Sequence, residues 1–483
     1  MSIISLILPE IFLSISIMVL LVVGVFTKHS FNIIYKSSVV VLIFTALLVI
    51  NNFENLSKIF NDGYVIDNMS NYIKTLSIFS TIIVLLISND YIKSIGINKF
   101  EHPILILSSV VGVMIMVSAN DLIIFYMGLE LQSLSLYVLA AIDKDSERST
   151  EAGLKYFVLS ALSTGLLLYG CSLLYGFTGS TNFELIAQTL TYNDLGSTFG
   201  IVFIIVGLAF KVSAVPFHMW TPDVYEGAPI PITTFLSVAS KTAAFAALIR
   251  ISTLIFPNFS QDISWGQVIA IISALSMTLG NFSAILQNSF KRMMAYSTIA
   301  HAGYLLIGIA AISVGIGDLI TNSISTMTFY LIGYCLINMT AFLSVMCILN
   351  TIENDSINKL SGLGKSSPMI AFCLAISMVA LTGFPPTIGF IGKLYLFSVG
   401  FDSGFDWLIL IALLNSVVAA YYYLRVIKVM YLDTSSKLKV FNISVLPKIT
   451  ILSLTILIIL FGVIPGPIID ITMHAAESIS TFR

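Results

Sequence analysis

Five ionisable side chains lie near the middle of long apolar stretches of this sequence. They are Glu130, Lys211, Lys241, His301 and Lys393, and largely apolar residues flank each of them on both sides. A charged side chain at the centre of a bilayer costs about 2.5 to 3.5 kcal/mol on insertion scales, so such residues usually face a polar interior and mark an ion pathway. Groups that take up and release protons in series form a proton relay. The five residues therefore predict a proton pathway across a membrane.

Two structural explanations compete with a relay. A lysine near a helix end can extend its ammonium to the lipid headgroups, and a buried carboxylate can simply be neutral. Lys241 is too deep for the first explanation, because about 18 Å of helix separates it from either end of its apolar stretch. A buried histidine is most often only a packed, hydrogen-bonded residue, but the unperturbed imidazole of a histidine such as His301 changes its charge near neutral pH, which suits a relay. Because five such residues recur along one chain, we favour the relay.

Lys155, close to the start of the sixth apolar segment, belongs to the same candidate set. Glu151 precedes it by four residues, which favours an ion pair on a helix surface. Alternatively, Lys155 reaches inward to Glu130, so that Glu130 and Lys211 become an ion pair that can be switched. The first arrangement is a local salt bridge, and the second couples neighbouring titratable groups.

Two of the lysines lie beside residues that break helices. Lys211 precedes Pro216 by five residues, and Lys393 follows Pro386 by seven. Proline removes a backbone donor and clashes with the preceding turn, so both helices are expected to be broken. Paired broken helices in the two halves of a transporter indicate inverted repeats around a midplane ion site, although prolines can also kink helices for packing alone. A bend is also expected at Gly333, because its apolar stretch is too long for a straight helix.

The composition indicates a membrane protein. Of 483 residues, 57% are hydrophobic and 10% are charged, where soluble domains have about 25% charged residues. Segments long enough to cross about 30 Å of hydrocarbon recur throughout. We predict an all-α integral membrane protein with about fourteen transmembrane helices, two inverted five-helix repeats, and broken seventh and twelfth helices. The predicted segments are 3–26, 32–50, 72–89, 104–119, 121–142, 153–176, 198–220, 228–254, 264–284, 292–313, 318–349, 367–399, 405–431 and 446–468.

These segments divide the chain into four predicted parts. They are an N-terminal three-helix segment at 1–102, five-helix repeats at 103–255 and 256–432 that each form a half-channel, and a C-terminal helix at 433–483. Lysine and arginine are concentrated in the connections from odd to even segments. The positive-inside rule therefore places these connections in the cytoplasm or matrix and both termini on the opposite, periplasmic or intermembrane, side.

Several function classes are excluded or disfavoured by the sequence. A net charge of −2 provides no basic face for nucleic acid. The four cysteines lie in apolar segments without a Cys-x-x-Cys motif or a Cys/His cluster, so no iron–sulfur, haem or zinc site is expected. The first segment lacks the basic start and the cleavage site of a signal peptide, so it is expected to be a permanent helix.

Three stretches carry a specific resemblance to a known family. They are KVSAVPFHMWTPDVYEGAPIPITTFLSVASK (211–241), KRMMAYSTIAHAGYLLIG (291–308) and ALTGFPPTIGFIGKLYLF (380–397). In this order they closely resemble signature stretches of the antiporter-like subunits of respiratory complex I. Within that family, PDVYEGAP, MAYSTIAHAGY and a lysine rather than a glutamate in the twelfth helix are most similar to the group called subunit N. The resemblance covers about residues 5 to 470.

The resemblance implies a proton-translocating membrane-arm subunit of NADH:quinone oxidoreductase that has no redox cofactor of its own. NADH, FMN, the iron–sulfur clusters and quinone would then belong to partner subunits. The implied partners are other membrane-arm subunits, especially the adjacent antiporter-like subunit M and the small subunit K, together with lipids. The implied roles are Glu130 and Lys211 as the coupling pair, Lys241 as the central bridge, His301 as a connecting group, Lys393 as the exit-side lysine, and Lys155 as the lysine of the family's sixth helix.

Three other functions are compatible with parts of this pattern. A subunit of a multisubunit cation/proton antiporter shares the lysines and the broken helices, and sodium-dependent transport would favour it. A redox-active quinone-binding subunit could use His218 and nearby aromatic residues, and a scaffold could use the buried charges only to fix helix packing. The expected location is the bacterial inner membrane or the mitochondrial inner membrane, and no transit peptide is visible.

Overall fold

The computed structural model describes residues 3–28, 30–190, 195–256, 265–349, 355–433 and 444–480. Most of these residues are helical, as expected where hydrocarbon leaves the backbone no other hydrogen-bond partner. Within the described ranges, eleven helices are long and apolar enough to cross a membrane, and three shorter helices are also apolar. The chain is an all-α integral membrane protein.

The helices are numbered in chain order. The first half contains α1 (Ile3–Leu6), α2 (Leu8–Phe26), α3 (Ser30–Ile50), α4 (Asn68–Ser94), α5 (Glu101–Val117), α6 (Leu122–Ala140), α7 (Glu147–Thr178), α8 (Phe183–Thr189), α9 (Leu195–Lys211), α10 (Trp220–Gly227), α11 (Ile230–Phe235) and α12 (Lys241–Leu254). The second half contains α13 (Trp265–Ile285), α14 (Phe290–Val314), α15 (Asp318–Leu349), α16 (Leu363–Ser366), α17 (Pro368–Thr382), α18 (Ile388–Asp402), α19 (Asp406–Tyr431), α20 (Val445–Val463) and α21 (Gly466–Ser480).

Two apolar segments are interrupted beside their prolines. Helix α9 ends at Lys211, and turns lead to α10; likewise α17 ends before Pro385 and Pro386, and α18 follows. Helix α15, in contrast, continues through Gly333, so the helix does not break there. A turn of π-helix, Leu236–Ser240, connects α11 directly to α12. This turn holds one extra residue relative to an α-helix and therefore rotates the start of α12, where Lys241 lies.

The interior of the fold is formed by three long elements. About nine-tenths or more of the residues in the most apolar stretch are buried in α11–α12, in α14 and in α15. In α2 and in α20 only 28% of such residues are buried. A helix that is apolar on all sides and buried belongs to the centre of a bundle, and the outer helices present apolar side chains to lipid. Lys241 and His301 thus lie on central helices.

Some connections contain structure that the hydrophobic pattern does not predict. A two-stranded antiparallel hairpin, β1 (Ser57–Ile59) and β2 (Tyr64–Ile66), follows α3. The region predicted as a single C-terminal helix contains both α20 and α21. Helix α21 was missed because it is amphipathic rather than continuously apolar: Thr472, Ala475 and Ile479 are buried on one face.

Helices α5 and α6 pack backbone against backbone at Gly112 and Gly128. A Cβ atom added at Gly112 would lie 2.4 Å from the backbone nitrogen of Gln132. We expect Gly112→Ala to push α6 away and to destabilise the protein by about 1 to 3 kcal/mol, which is typical of overpacking. The thermal unfolding of the purified protein in its complex measures this loss. Gly165→Ala on α7, where no atom lies within 4 Å of the added Cβ, is the matched control, and equal losses in both variants would contradict the packing argument.

Candidate functional site

Lys211, the last residue of α9, is held by neutral hydroxyl groups. Its Nζ donates to Ser133 Oγ of α6 at 2.7 Å and to Ser160 Oγ of α7 at 2.9 Å. The hydroxyl of Tyr137 lies 2.6 Å from the same Ser160 oxygen, and the centroid of its ring lies 6.0 Å from Nζ. Among the described residues no carboxylate contacts this ammonium directly, so loss of its proton would not break an ion pair.

Glu130 lies on α6 one turn before Ser133, in the region of Lys211. Its Oε1 atom is buried and has no hydrogen-bond partner. Within the part of the chain that the structure describes, the carboxylate forms no ion pair with Lys211 or with Lys155. The predicted coupling pair is therefore close in the fold but is not in direct contact in this arrangement. A buried polar atom without a partner is a site where a water or a moving side chain is needed.

Lys155 belongs to a charged cavity at the ends of α7, α10 and α14. Its Nζ lies 2.7 Å from Glu151 and 2.7 Å from Asp223, and Arg292 contacts Asp223 at 2.9 Å and Glu226 at 2.8 Å. The predicted pair with Glu151 is thus present, whereas the alternative contact with Glu130 is not. The cavity has a volume of about 310 Å³, and these side chains and Arg148 line it. It is a polar opening into the bundle.

Lys241 is the first residue of α12 and is buried. Its Nζ donates to the backbone oxygen of Thr298 on α14 at 2.7 Å. The side chain of Thr298 in turn accepts a hydrogen bond from Tyr334 at 3.0 Å, and Gln132 donates to Ser240 at 2.7 Å beside Lys241. Hydrogen-bonded side chains therefore lie on both sides of Lys241.

His301 lies between two tyrosine hydroxyls. Its Nδ1 is 2.6 Å from the hydroxyl of Tyr330, and its Nε2 is 3.1 Å from that of Tyr423. In a neutral imidazole one ring nitrogen donates and the other accepts, so this arrangement can carry a proton across the ring. A small cavity lined by His301, Tyr330 and Lys393 leaves about 10 Å³, close to the space that one water needs.

Lys393, on α18, contacts the end of the preceding half-helix. Its Nζ donates to the backbone oxygens of Leu381 at 3.1 Å and Thr382 at 2.9 Å, both in the last turn of α17. The last carbonyls of a helix have no partner within the helix and carry partial negative charge, so a cation is favoured there. The ammonium also lies 4.7 Å from the ring centroid of Tyr304. The break in the helix thus leaves free the backbone oxygens that accept hydrogen bonds from this lysine.

Comparison with known proteins identifies the family. A sequence profile described as "NADH:quinone oxidoreductase/Mrp antiporter, TM" matches residues 119–419, which include all the candidate residues. The chain is 46% identical to NADH-quinone oxidoreductase subunit N of Pelagibacter ubique, with 96% of this chain and 97% of that protein covered. The chain belongs to the subunit N family. Subunit N of Rhodospirillum rubrum is 44% identical, with 98% of this chain and 97% of that protein covered.

Solved structures of respiratory membrane complexes contain chains with the same fold. A chain of respiratory complex I from Thermus thermophilus with bound aureothin superposes with a TM-score of 0.82 at 27% identity, covering 96% of this chain and 98% of that chain. A chain of the membrane-bound sulfane sulfur reductase, an archaeal respiratory membrane complex, gives 0.88 at 24% identity, covering 99% and 98%. The second likeness concerns the fold alone.

The chain also contains a buried ion pair that the sequence did not predict. Arg250 of α12 donates to both carboxylate oxygens of Asp67, at 2.7 and 3.0 Å, and both side chains are at most 3% exposed. Arg250 lies near the end of the predicted segment 228–254, where a basic residue is expected to meet water. The position of Asp67 before the apolar segment of α4, with Ser70 three residues later, is a helix-start signal that could have pointed to a buried cap.

A second buried pair joins α2, α4 and the hairpin. Lys74 lies 2.7 Å from Glu10, and the hydroxyl of Tyr64 donates to the same carboxylate at 2.7 Å. The Asp67–Arg250 pair connects the N-terminal segment to α12, whereas the Glu10–Lys74 pair lies within that segment. Among the described residues no group of three His, Cys, Asp or Glu side chains could hold a metal ion, and the four cysteines are buried thiols.

Proposed function

We propose that this chain translocates protons as a membrane-arm subunit of NADH:quinone oxidoreductase. The observation that carries the proposal is a series of buried lysine and histidine side chains, each held by hydroxyls or backbone oxygens rather than by carboxylates. Groups held in this way can gain or lose a proton without breaking an ion pair. Membership in the subunit N family supports the assignment to this oxidoreductase.

The proposed pathway begins at the charged cavity around Lys155 and ends beyond Lys393. Glu130 and Lys211 form the first coupled pair, Lys241 is the central bridge, and His301 connects it to Lys393. The gaps between these residues require water or side-chain movement, and the cavity beside His301 has room for about one water. A change of charge at one position alters the proton affinity of the next, because buried charges are poorly screened.

The energetic demand on such a pathway is modest. Moving one elementary charge against 100 mV requires about 2.3 kcal/mol. In a low-dielectric interior, a charge appearing a few ångströms away changes the energy of an ammonium by a comparable amount. We infer that redox chemistry in partner subunits acts on this chain through such shifts, and that this chain carries no redox cofactor itself.

We further propose fourteen crossings with both termini on the periplasmic or intermembrane side. Each of the eleven long and three shorter apolar helices of the described residues overlaps one of the fourteen predicted segments. Residues 103–255 and 256–432 are proposed as inverted repeats, supported by helix breaks beside Lys211 and Lys393. The N-terminal three-helix segment at 1–102 and the C-terminal region at 433–483 flank them. The membrane is the bacterial or the mitochondrial inner membrane.

The proposed neighbours are other membrane-arm subunits, especially the antiporter-like subunit M and the small subunit K. The rival function is that of a multisubunit cation/proton antiporter. A chain of the Mrp complex from Dietzia has the same fold, with a TM-score of 0.80, but is only 20% identical. Relatives at more than 40% identity over nearly the whole chain are subunit N proteins, and they favour the first function. Sodium-dependent transport would favour the rival.

We expect Glu130→Gln to slow NADH-driven proton pumping roughly tenfold, which corresponds to about 1.4 kcal/mol in the barrier. The amide has the shape of the acid but cannot carry the charge that acts on Lys211. Pumping and electron transfer are measured on the intact complex in proteoliposomes. Glu54→Gln, the same charge change at an exposed residue in the connection between α3 and the hairpin, is the matched control. Normal pumping by an assembled Glu130→Gln complex would remove this residue from the pathway.

A further inference from the structure

A large groove opens on the outer surface of the bundle between α5, α6 and α7. Its volume is about 710 Å³, within the range of about 300 to 1,000 Å³ typical of small-molecule sites. Leu134, Val138 and Phe157 line it and are each about half exposed (54%, 54% and 49%). Gly153 lies against Ala141 at its floor, where α6 and α7 are in close contact. The body of the groove is therefore a shallow apolar channel in the lipid-facing surface.

The polar residues of this groove are concentrated at one end. Lys99 and Glu101 lie at the start of α5, and Lys144 lies in the connection between α6 and α7. All three side chains are exposed, and none of them has an ion-pair partner within the ranges that the structure describes. Asp143 and Asp145 flank Lys144 in the chain but do not line the groove. The rim thus offers two cations and one anion above an apolar body.

We propose that this groove is a binding site for one glycerophospholipid with a phosphoethanolamine headgroup. Basic pockets between transmembrane helices at a membrane interface bind phospholipid headgroups. In this proposal Lys99 and Lys144 bind the phosphate, and Glu101 binds the ammonium of the headgroup. Charge-assisted hydrogen bonds of this kind are about twice as strong as neutral ones. The acyl chains cover the apolar body.

The pattern of charges favours a lipid over a helix of another subunit. A partner helix would have to supply an anion for the two lysines and a cation for Glu101 at the same depth. A single phosphoethanolamine group carries both charges a few atoms apart. Methylation of its nitrogen, as in phosphocholine, keeps the charge but removes every N–H donor, so the site should distinguish these two lipids.

The groove also adjoins the proton pathway. Tyr137 lines it and bonds through its hydroxyl to Ser160, which in turn binds Lys211. A bound acyl chain would cover the outer side of Tyr137 and keep bulk water from that side of Lys211. Lipid binding itself does not depend on the proposed relay, so the two hypotheses can fail separately.

The test uses the intact complex in nanodiscs of dioleoylphosphatidylcholine. A trace of phosphatidylethanolamine with a photoreactive diazirine in one acyl chain is added, and a parallel sample receives the choline lipid with the same chain. After irradiation, the labelled peptides are mapped by mass spectrometry. We expect labelling of residues 134–142 and 153–157 to be roughly tenfold higher with the ethanolamine lipid, the ratio expected when charge-assisted hydrogen bonds are lost.

Variants separate a specific site from general contact with lipid. The double variant Lys99→Ala/Lys144→Ala is expected to lower ethanolamine-lipid labelling of the groove roughly tenfold. The control Lys359→Ala/Lys365→Ala removes two exposed lysines that do not line the groove, and it should leave this labelling unchanged. Equal labelling by the two lipids, or unchanged labelling in the first double variant, would overturn the proposal. So would crosslinking of the groove to a helix of a neighbouring subunit in place of lipid.

Discussion

Replacing Lys241 with alanine is expected to lower NADH-driven proton pumping and coupled electron transfer by more than about tenfold while the complex still assembles. Lys241 is buried among the central helices, and the backbone oxygen of Thr298 accepts its hydrogen bond. In the proposed pathway, alanine removes the proton carrier between Lys211 and His301, and no other described lysine lies at that place. Proton uptake by proteoliposomes and NADH:quinone electron transfer are measured on the same preparation, with subunit composition as the test of assembly.

Lys241→Arg separates proton transfer from simple charge. Arginine keeps the positive charge but does not release its proton in proteins, so we expect this variant to assemble and to pump as poorly as the alanine variant. If an assembled alanine variant pumps normally, Lys241 is a packing residue and the pathway runs elsewhere. If only the alanine variant is inactive, a fixed charge at this position is sufficient and proton release from Lys241 is not required.

Replacing Asp67 with leucine is expected to be the most damaging single change to stability, at about 3 to 5 kcal/mol. It would leave the buried guanidinium of Arg250 without its carboxylate, and breaking a buried pair on one side typically has this cost. Asp67 also caps α4 by accepting from the backbone of Ser70 at 2.7 Å, a contribution of about 1 kcal/mol. Thermal unfolding and the yield of assembled complex measure the loss.

The paired variant Asp67→Leu/Arg250→Met distinguishes an uncompensated charge from lost packing. Two apolar side chains of similar volume often replace a buried ion pair at little net cost. We therefore expect the double variant to recover most of the stability that the single variant loses, apart from the cap. Equal losses in the single and double variants would show that the damage lies in packing around Asp67 rather than in the unpaired charge.

Much of the fold follows from the sequence because membrane helices are specified by length and hydropathy alone. The segment predicted at 153–176 lies inside α7, and the prolines beside Lys211 and Lys393 coincide with breaks. The π-turn before Lys241 was not predictable, because nothing in the local sequence at Leu236–Ser240 marks it. The hairpin and α21 were missed because neither is continuously apolar.

The depth of the candidate residues was predictable, but their contacts were not. Lys155 binds Asp223, which lies 68 residues away in the chain, and Lys211 binds hydroxyls from two other helices. Such pairings depend on how helices pack, which one sequence does not encode in any local pattern. Glu10 and Lys74 were overlooked for a related reason, because both lie near the ends of their segments, where a charged residue is expected to meet water.

The break between α17 and α18 links the relative position of these two half-helices to the protonation of Lys393. Lys393 joins the two half-helices by donating to Leu381 and Thr382 across the break. An ammonium has three protons to donate and a neutral amine has two. Loss of the titratable proton of Lys393 therefore weakens its contacts with the end of α17. Because thermodynamic coupling is reciprocal, any movement that pulls the half-helices apart must also change how readily Lys393 holds its proton. Displacement of either half-helix would therefore change the proton affinity of Lys393, and protonation of Lys393 would change how firmly the two half-helices are held together.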